Sequence, residues 1–177
     1  MTTRHAVIET PIGEVTLVAT GDALTGLYFP HHWYMPPIST FGARVDATND
    51  GLLSSAALQL EEYFRGERIS FALSTETHGD PFQERVWALL NDIPFGTTTT
   101  YGELAERLGD KSLAQQVGKA VGQNPLCIFV PCHRVVGKNG KLTGYAGGLK
   151  RKQFLLELEE PAEVQAEKLF ATSGTLF

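Results

Sequence analysis

Cysteine is scarce in this chain: there are two, Cys127 and Cys132, and none before position 127. Two thiols exclude the disulfide framework that staples small secreted folds, and they fall short of a zinc site built from cysteine pairs. On one extended strand their odd spacing sends them to opposite faces, roughly 16 Å apart, whereas a disulfide needs Cα atoms within about 7 Å. No internal bridge is expected unless the chain turns sharply between them. Also missing is any apolar run near the roughly 20 residues that span a bilayer. The N-terminus, MTTRHAVIETPIGEV, lacks the basic flank and apolar stretch of a secretory signal, so a cytoplasmic location without membrane contact is expected. Positive charge is in deficit too: a formal net charge of −5 excludes a uniformly basic nucleic-acid binder.

The deficit is uneven. Residues 1–80 hold 4 Lys/Arg against 10 Asp/Glu, residues 81–155 hold 10 against 5, and residues 156–177 hold 1 against 5. A basic central segment in an acidic chain suits a local anionic partner, because phosphate is met by a patch and not by whole-chain charge. Unevenly solvated surface is the plain alternative.

With 177 residues, 42% of them hydrophobic, the chain is long enough to bury a core in one large domain or two small ones. Its first third alternates like strands at residues 5–10, 13–19 and 24–29, punctuated by Pro11-Ile12-Gly13 and Thr20-Gly21-Asp22. An antiparallel meander is the economical reading. Leu53, Ala56, Ala57, Leu60 and Phe64 then recur at helical spacing, before a polar connection over 72–80. The fold class expected is α+β: a small antiparallel sheet with a helix over 1–80, a mainly helical domain over 81–160, and a tail over 161–177.

In the helical part, Pro81 opens a segment with Phe82, Val86, Leu89 and Leu90 on one face. A second helix runs from Tyr101 to Leu108, Gly109-Asp110-Lys111 breaks it, and Ser112 is a suitable N-cap for a third over 113–121. Two short helices joined by a glycine-containing turn have the form of a helix-turn-helix. Ala114, Gly118, Ala120 and Gly122 leave the last helix smooth, which suits either close approach to another surface or tight internal packing. An apolar strand is expected over 126–130, followed by Pro131-Cys132-His133-Arg134-Val135. The histidine and arginine could favour a thiolate at Cys132, although neighbours on an extended chain point apart. A small, buried, inert thiol is the ordinary reading of a cysteine, and it is kept for Cys127.

The sequence resembles the O6-alkylguanine-DNA alkyltransferase family from Phe82 to about Glu160, through PFGTTTTYGELAERLG, VGKAVGQNP, VPCHRVV and GYAGGLKRKQFLLELE. Residues 1–80 look like that family's less constrained N-terminal domain. The resemblance implies direct reversal of DNA damage, in which an alkyl group moves from O6 of guanine, or O4 of thymine, to Cys132 in one irreversible turnover. It implies that His133 takes the thiol proton through a water, that Glu159 orients His133, and that Asn124 ties the helix-turn-helix to the active-site turn. Tyr101 would press on the phosphate beside the target, help rotate the nucleotide out of the stack, and protonate the leaving base. Cys127, Val135, Tyr145, Ala146, Gly147 and Gly148 would form the base pocket. Gln115, Gly118, Lys119, Arg134, Lys150 and Arg151 would face DNA in the minor groove, with Lys152 a further candidate; for the basic residues a local structural role is the alternative. The implied partner is double-stranded DNA containing O6-alkylguanine, bound by a monomer that can act cooperatively, with no cofactor and no metal.

Two positions depart from the family pattern. Gln115 stands where an arginine commonly enters the stack, and Cys127 where a proline commonly lines the pocket. Two rival classes remain at this point: a helix-turn-helix regulator with an inert Cys132, and a cysteine hydrolase using Cys132 and His133.

Overall fold

A computed structural model describes residues 1–174, with side chains to residue 171. Strands β1 (Thr3–Thr10), β2 (Gly13–Thr20) and β3 (Ala23–Tyr28) form the expected meander, β1 pairing with β2 from Thr3↔Thr20 to Thr10↔Gly13. The sheet is mixed, however, not purely antiparallel. A two-residue strand, β4 (Ala43–Arg44), adds parallel to β1, giving the order β3-β2-β1-β4. So short a strand carries no alternation to read, and Gly42 makes it possible: at φ 70°, a Cβ there would lie 1.8 Å from the Thr3 carbonyl oxygen.

Helix α1 (Gly51–Phe64) begins at Asp50, whose carboxylate accepts from the Leu52 and Leu53 amides, and it lays Leu53, Ala56, Leu60 and Tyr63 against the sheet. Helix α2 (Pro81–Asn91) starts with proline in its first turn and a reciprocal cap between Asp80 and Gln83. A short strand, β5 (Thr99–Thr100), pairs parallel with β6 (Val135–Val136). Helix α3 (Tyr101–Arg107) is capped by Thr100 and Glu103 in the same reciprocal way. A 3-10 turn over Lys111–Leu113 leads into α4 (Ala114–Gly122). Asp110, not Ser112, caps this turn: its carboxylate accepts from both the Ser112 amide and hydroxyl. The sequence holds two good capping residues two positions apart, and the one before the extra turn prevails. Helices α5 (Leu149–Leu158) and α6 (Ala162–Gly174) complete the described residues, none of whose helices is long and apolar enough to cross a membrane.

The largest difference from expectation lies at residues 126–130. These form a tight turn, not a strand: the Val130 amide donates to the Leu126 carbonyl at 2.8 Å, and Ile128 sits at φ 76°. A β-branched residue at positive φ is a genuine outlier. The Ile128 side chain is buried in the common core, and Leu126 bridges to Leu27 of β3, so burial on both sides of the turn opposes the backbone cost. An apolar run gives no signal for such a reversal. One core joins the sheet, α1 and the helical part.

Candidate active site

The turn brings the two thiols together. Cys127 Sγ and Cys132 Sγ lie 3.8 Å apart, both buried, and both thiols are free. The extended-chain separation expected from sequence therefore does not apply. Asn124, two residues beyond α4, closes the turn from inside. Its Nδ2 donates to the Val130 carbonyl at 2.9 Å and its Oδ1 accepts from the Leu126 amide at 2.9 Å. Losing the second bond would leave the buried Leu126 amide unpaired, whereas the Val130 carbonyl also accepts from the Cys132 amide at 2.8 Å.

Pro131 then directs the chain into a single 3-10 turn, Cys132–Arg134, whose three side chains all point inward. Two of them converge on Glu159, the residue that ends α5. His133 Nε2 is 2.7 Å from Glu159 Oε2, Arg134 Nε donates to Oε1 at 2.7 Å, and Arg134 Nη2 donates to Oε2 at 3.1 Å. Tyr63 of α1 adds its hydroxyl to Oε2 at 2.5 Å. Burial pushes the Glu159 pKa up, but hydrogen bonds from His133, Arg134 and Tyr63 outweigh it and hold the carboxylate at about 2. An ionised carboxylate only accepts, so His133 Nε2 carries the proton and Nδ1 is the basic nitrogen. Burial lowers the His133 pKa despite the neighbouring carboxylate, leaving a neutral imidazole at neutral pH. Nδ1 has no protein partner among the described residues.

A second tether holds the loop after β6. Lys152 of α5 is buried, and its ammonium donates to the Thr143 carbonyl at 2.9 Å. Burial lowers its pKa to about 8, against the pull of a thiolate at Cys132. Thr143 also donates to the Tyr101 hydroxyl at 3.1 Å, placing that ring beside the same loop. The ring packs over Gly118, where a Cβ would lie 3.7 Å away, an ordinary contact that does not itself require glycine.

Val135, Tyr145, Ala146 and Gly147 are buried, Tyr145 beside Cys127, while Gly148 is exposed at φ 92° at the start of α5. The N-terminal residues explain two of the loop glycines. A Cβ on Gly147 would lie 2.5 Å from the Phe29 ring, one on Gly144 would lie 2.9 Å from Trp33, and the Trp33 amide donates to the Ala146 carbonyl at 3.2 Å. Close packing between the two parts of the chain thus demands glycine there.

Three basic residues turn inward. Arg134 is committed to Glu159 and to the Ile93 carbonyl at 2.6 Å, which removes it from the surface. Arg151 donates to the carbonyls of Ile12 and Gly147 and lies over the Phe29 ring, and Lys152 is the loop tether. Gln115, Gln116, Lys119 and Lys150 are exposed. Sequence gave no pointer to Tyr63, which reaches the site from the other part of the chain, nor to Arg134 as the second partner of Glu159.

A buried carboxylate thus holds a neutral imidazole one residue along the chain from Cys132, whose thiol is paired with Cys127. Known proteins carry the same framework. The 6-O-methylguanine DNA methyltransferase DNA binding domain matches residues 81–161, and the ribonuclease-like domain of the same methyltransferase matches residues 3–77. The chain belongs to the 6-O-methylguanine DNA methyltransferase family. It is 45% identical over 157 residues to the methylated-DNA–protein-cysteine methyltransferase of Mycobacterium bovis, covering 88% of this chain and 92% of that one. To the Methanosarcina acetivorans protein of the same name it is 40% identical over 164 residues, covering 88% and 97%. A crystal structure of Mycobacterium tuberculosis OGT in complex with DNA superimposes with a TM-score of 0.80 at 42% identity, covering 91% of this chain and 97% of that one. Within this methyltransferase framework, the thiol pair, His133, Arg134 and Glu159 all lie in the DNA binding domain. Tyr63 lies in the ribonuclease-like domain, which therefore helps to fix the charge state of the site.

Proposed function

We propose that the chain repairs alkylated DNA by accepting the alkyl group of O6-alkylguanine, and of O4-alkylthymine, on Cys132. The observation that carries this reading is the buried His133–Glu159 pair at 2.7 Å, with His133 directly following Cys132 in a chain of this family. The Cys132 proton passes to His133 Nδ1 through a water. The sulfur attacks the alkyl carbon, the S–C bond forms as the C–O6 bond breaks, and the electron pair of that bond stays on the base. Tyr101 supplies the proton that makes the departing base neutral, and recovers one from solvent. Its hydroxyl, like any tyrosine's, is protonated at neutral pH, and burial raises its pKa further. The thioether is stable, so each chain acts once.

Cys132 is 2% exposed, so a base inside a duplex cannot reach it, and the nucleotide must leave the stack. Helices α3 and α4 serve as the helix-turn-helix. Gln115, Gln116 and Lys119 form the exposed face of α4, Gly118 permits close approach to a minor groove, and Lys150 adds a positive charge at the start of α5. The protein acts as a monomer in the cytoplasm, requires no cofactor or metal, and can load cooperatively along DNA.

Titration of a fixed amount of protein with excess O6-methylguanine duplex tests this. Restored guanine is expected to level off at one per chain. Continued turnover would overturn the reading, as would sequence-specific binding with no restored guanine.

A further inference from the structure

The reaction needs Cys132 as a thiolate in a place where water is nearly absent, and burial opposes that charge. The polar and titratable groups around the sulfur come from several elements. Lys152 of α5 offers a charge, but its ammonium is held by the Thr143 and Gly144 carbonyls. Tyr101 of α3 is engaged with Thr143, while the Asn124 amide gives one hydrogen to Val130 and has a second that favours a thiolate at Cys132. His133 is turned toward Glu159, and the buried Tyr145 hydroxyl faces Cys127. The largest influence on the sulfur is the second thiol, 3.8 Å away.

Cys127 Sγ lies 3.8 Å from two acceptors, the Asn124 carbonyl and Cys132 Sγ. A thiol has one hydrogen and one rotor, so it serves one acceptor at a time. While Cys132 is protonated, its own S–H points to Cys127 Sγ, and the Cys127 S–H points to Asn124. An ionised Cys132 has no hydrogen to give and must accept.

We propose that Cys127 is a positioning residue for Cys132, its S–H turning from the Asn124 carbonyl to the Cys132 sulfur as that sulfur ionises. This rests on the reading of Cys132 as alkyl acceptor. The two thiols are shifted in opposite directions, Cys132 down and Cys127 well up, and their mutual hydrogen bond is the largest cause for each. Cys127 therefore stays protonated as the donor, and the Lys152 charge adds to the bias toward ionising Cys132. The sharp turn at Ile128, with its positive φ, is what makes the contact possible.

The test uses the full chain as wild type, Cys127→Ala, Cys127→Ser and Cys132→Ser. Two measurements are made against pH: the ultraviolet absorbance of the thiolate, and the rate of alkyl transfer from free O6-benzylguanine, which needs no base flipping. A charge-assisted hydrogen bond in a buried site is worth about tenfold or more. Cys127→Ala is expected to move the Cys132 titration up by about one pH unit and to slow transfer about tenfold below it. Its rate should approach wild type at high pH, and Cys127→Ser, which keeps a donor, should restore most of the shift. The lone Cys127 of Cys132→Ser should stay protonated through neutral pH.

An unmoved titration in Cys127→Ala, or a rate lowered equally at every pH with no rescue by serine, would overturn the proposal. If the alanine variant does not fold, the serine variant decides: a hydroxyl donor should leave its titration within a fraction of a pH unit of wild type, and a full-unit shift would overturn the proposal. Alkyl transfer persisting in Cys132→Ser would remove the assignment of Cys132 as acceptor, while the absorbance titration would still judge the thiol contact by itself.

Discussion

Glu159→Gln is the perturbation that probes most of the site at once. The carboxylate takes four hydrogen bonds on two oxygens: Oε1 accepts from Arg134, and Oε2 from Tyr63, His133 and Arg134. Glutamine has the same shape, but one oxygen becomes an NH2. Placed at Oε2, it orphans Tyr63 and His133; placed at Oε1, it opposes the Arg134 guanidinium. Either way a buried Arg134 loses its counter-charge, and removing one partner of a buried pair costs about 3–5 kcal/mol. The pKa leads independently to a similar size. A fall from 4.5 to about 2 corresponds to roughly 3 kcal/mol favouring the folded state at neutral pH. That contribution is present above the unfolded carboxyl value near 4.5 and is lost as pH falls toward 2. Urea unfolding at neutral pH should thus show the variant weaker by about 3–5 kcal/mol, against a typical total of about 5–15 kcal/mol. Between pH 4.5 and 2 the wild type should lose stability that the variant no longer has to lose. Transfer from free O6-benzylguanine should slow by about 10² or more, because His133 loses both its orientation and the charge that stabilises its protonated form. A loss below about 1 kcal/mol, with an unchanged rate, would mean that the Arg134–Glu159–His133 cluster neither supports the fold nor activates the thiol.

Gln115→Arg should speed repair of duplex DNA by up to about tenfold, since a planar, charged side chain fills the gap left by a flipped base better than a neutral amide. Reaction with free O6-benzylguanine should not change; equal changes in both rates would place Gln115 in the pocket or in folding. If neither rate moves, Lys119, exposed one helical turn further along, is the next side chain to test. Gly147→Ala should lower stability by about 1–3 kcal/mol, because the added methyl meets the Phe29 ring and must force the two parts of the chain apart; a neutral result in thermal unfolding would show that Phe29 yields freely.

Much of the fold was legible because its signals are local. Strand alternation, the Pro81 start of α2 and the helical spacing of α1 each declare themselves within a few residues. The motif around Cys132 pointed to the family, and the same resemblance pointed to Glu159, which the structure places against His133. What sequence could not give depends on contacts distant along the chain. Tyr63 meets Glu159 across 96 residues, and β4 joins the sheet through two residues with no pattern of their own. Arg134, Arg151 and Lys152 look like candidates for phosphate because a cation's sign says nothing about which way its side chain turns. The thiol pair was missed for a different reason. Ile128 adopts a backbone conformation that its type disfavours, so local propensity pointed to a strand and tertiary burial won.

The most direct test of Cys132 as the acceptor is peptide mass mapping after reaction with O6-methylguanine duplex DNA, in wild type and in Cys132→Ser. In the wild type, one methyl in place of one hydrogen is expected on Cys132 alone, with Cys127 unmodified. Cys132→Ser should take up no methyl while binding the duplex with nearly unchanged affinity, because phosphate contacts lie away from the thiol. A methyl found on Cys127 in either protein, or on any residue of Cys132→Ser, would contradict it.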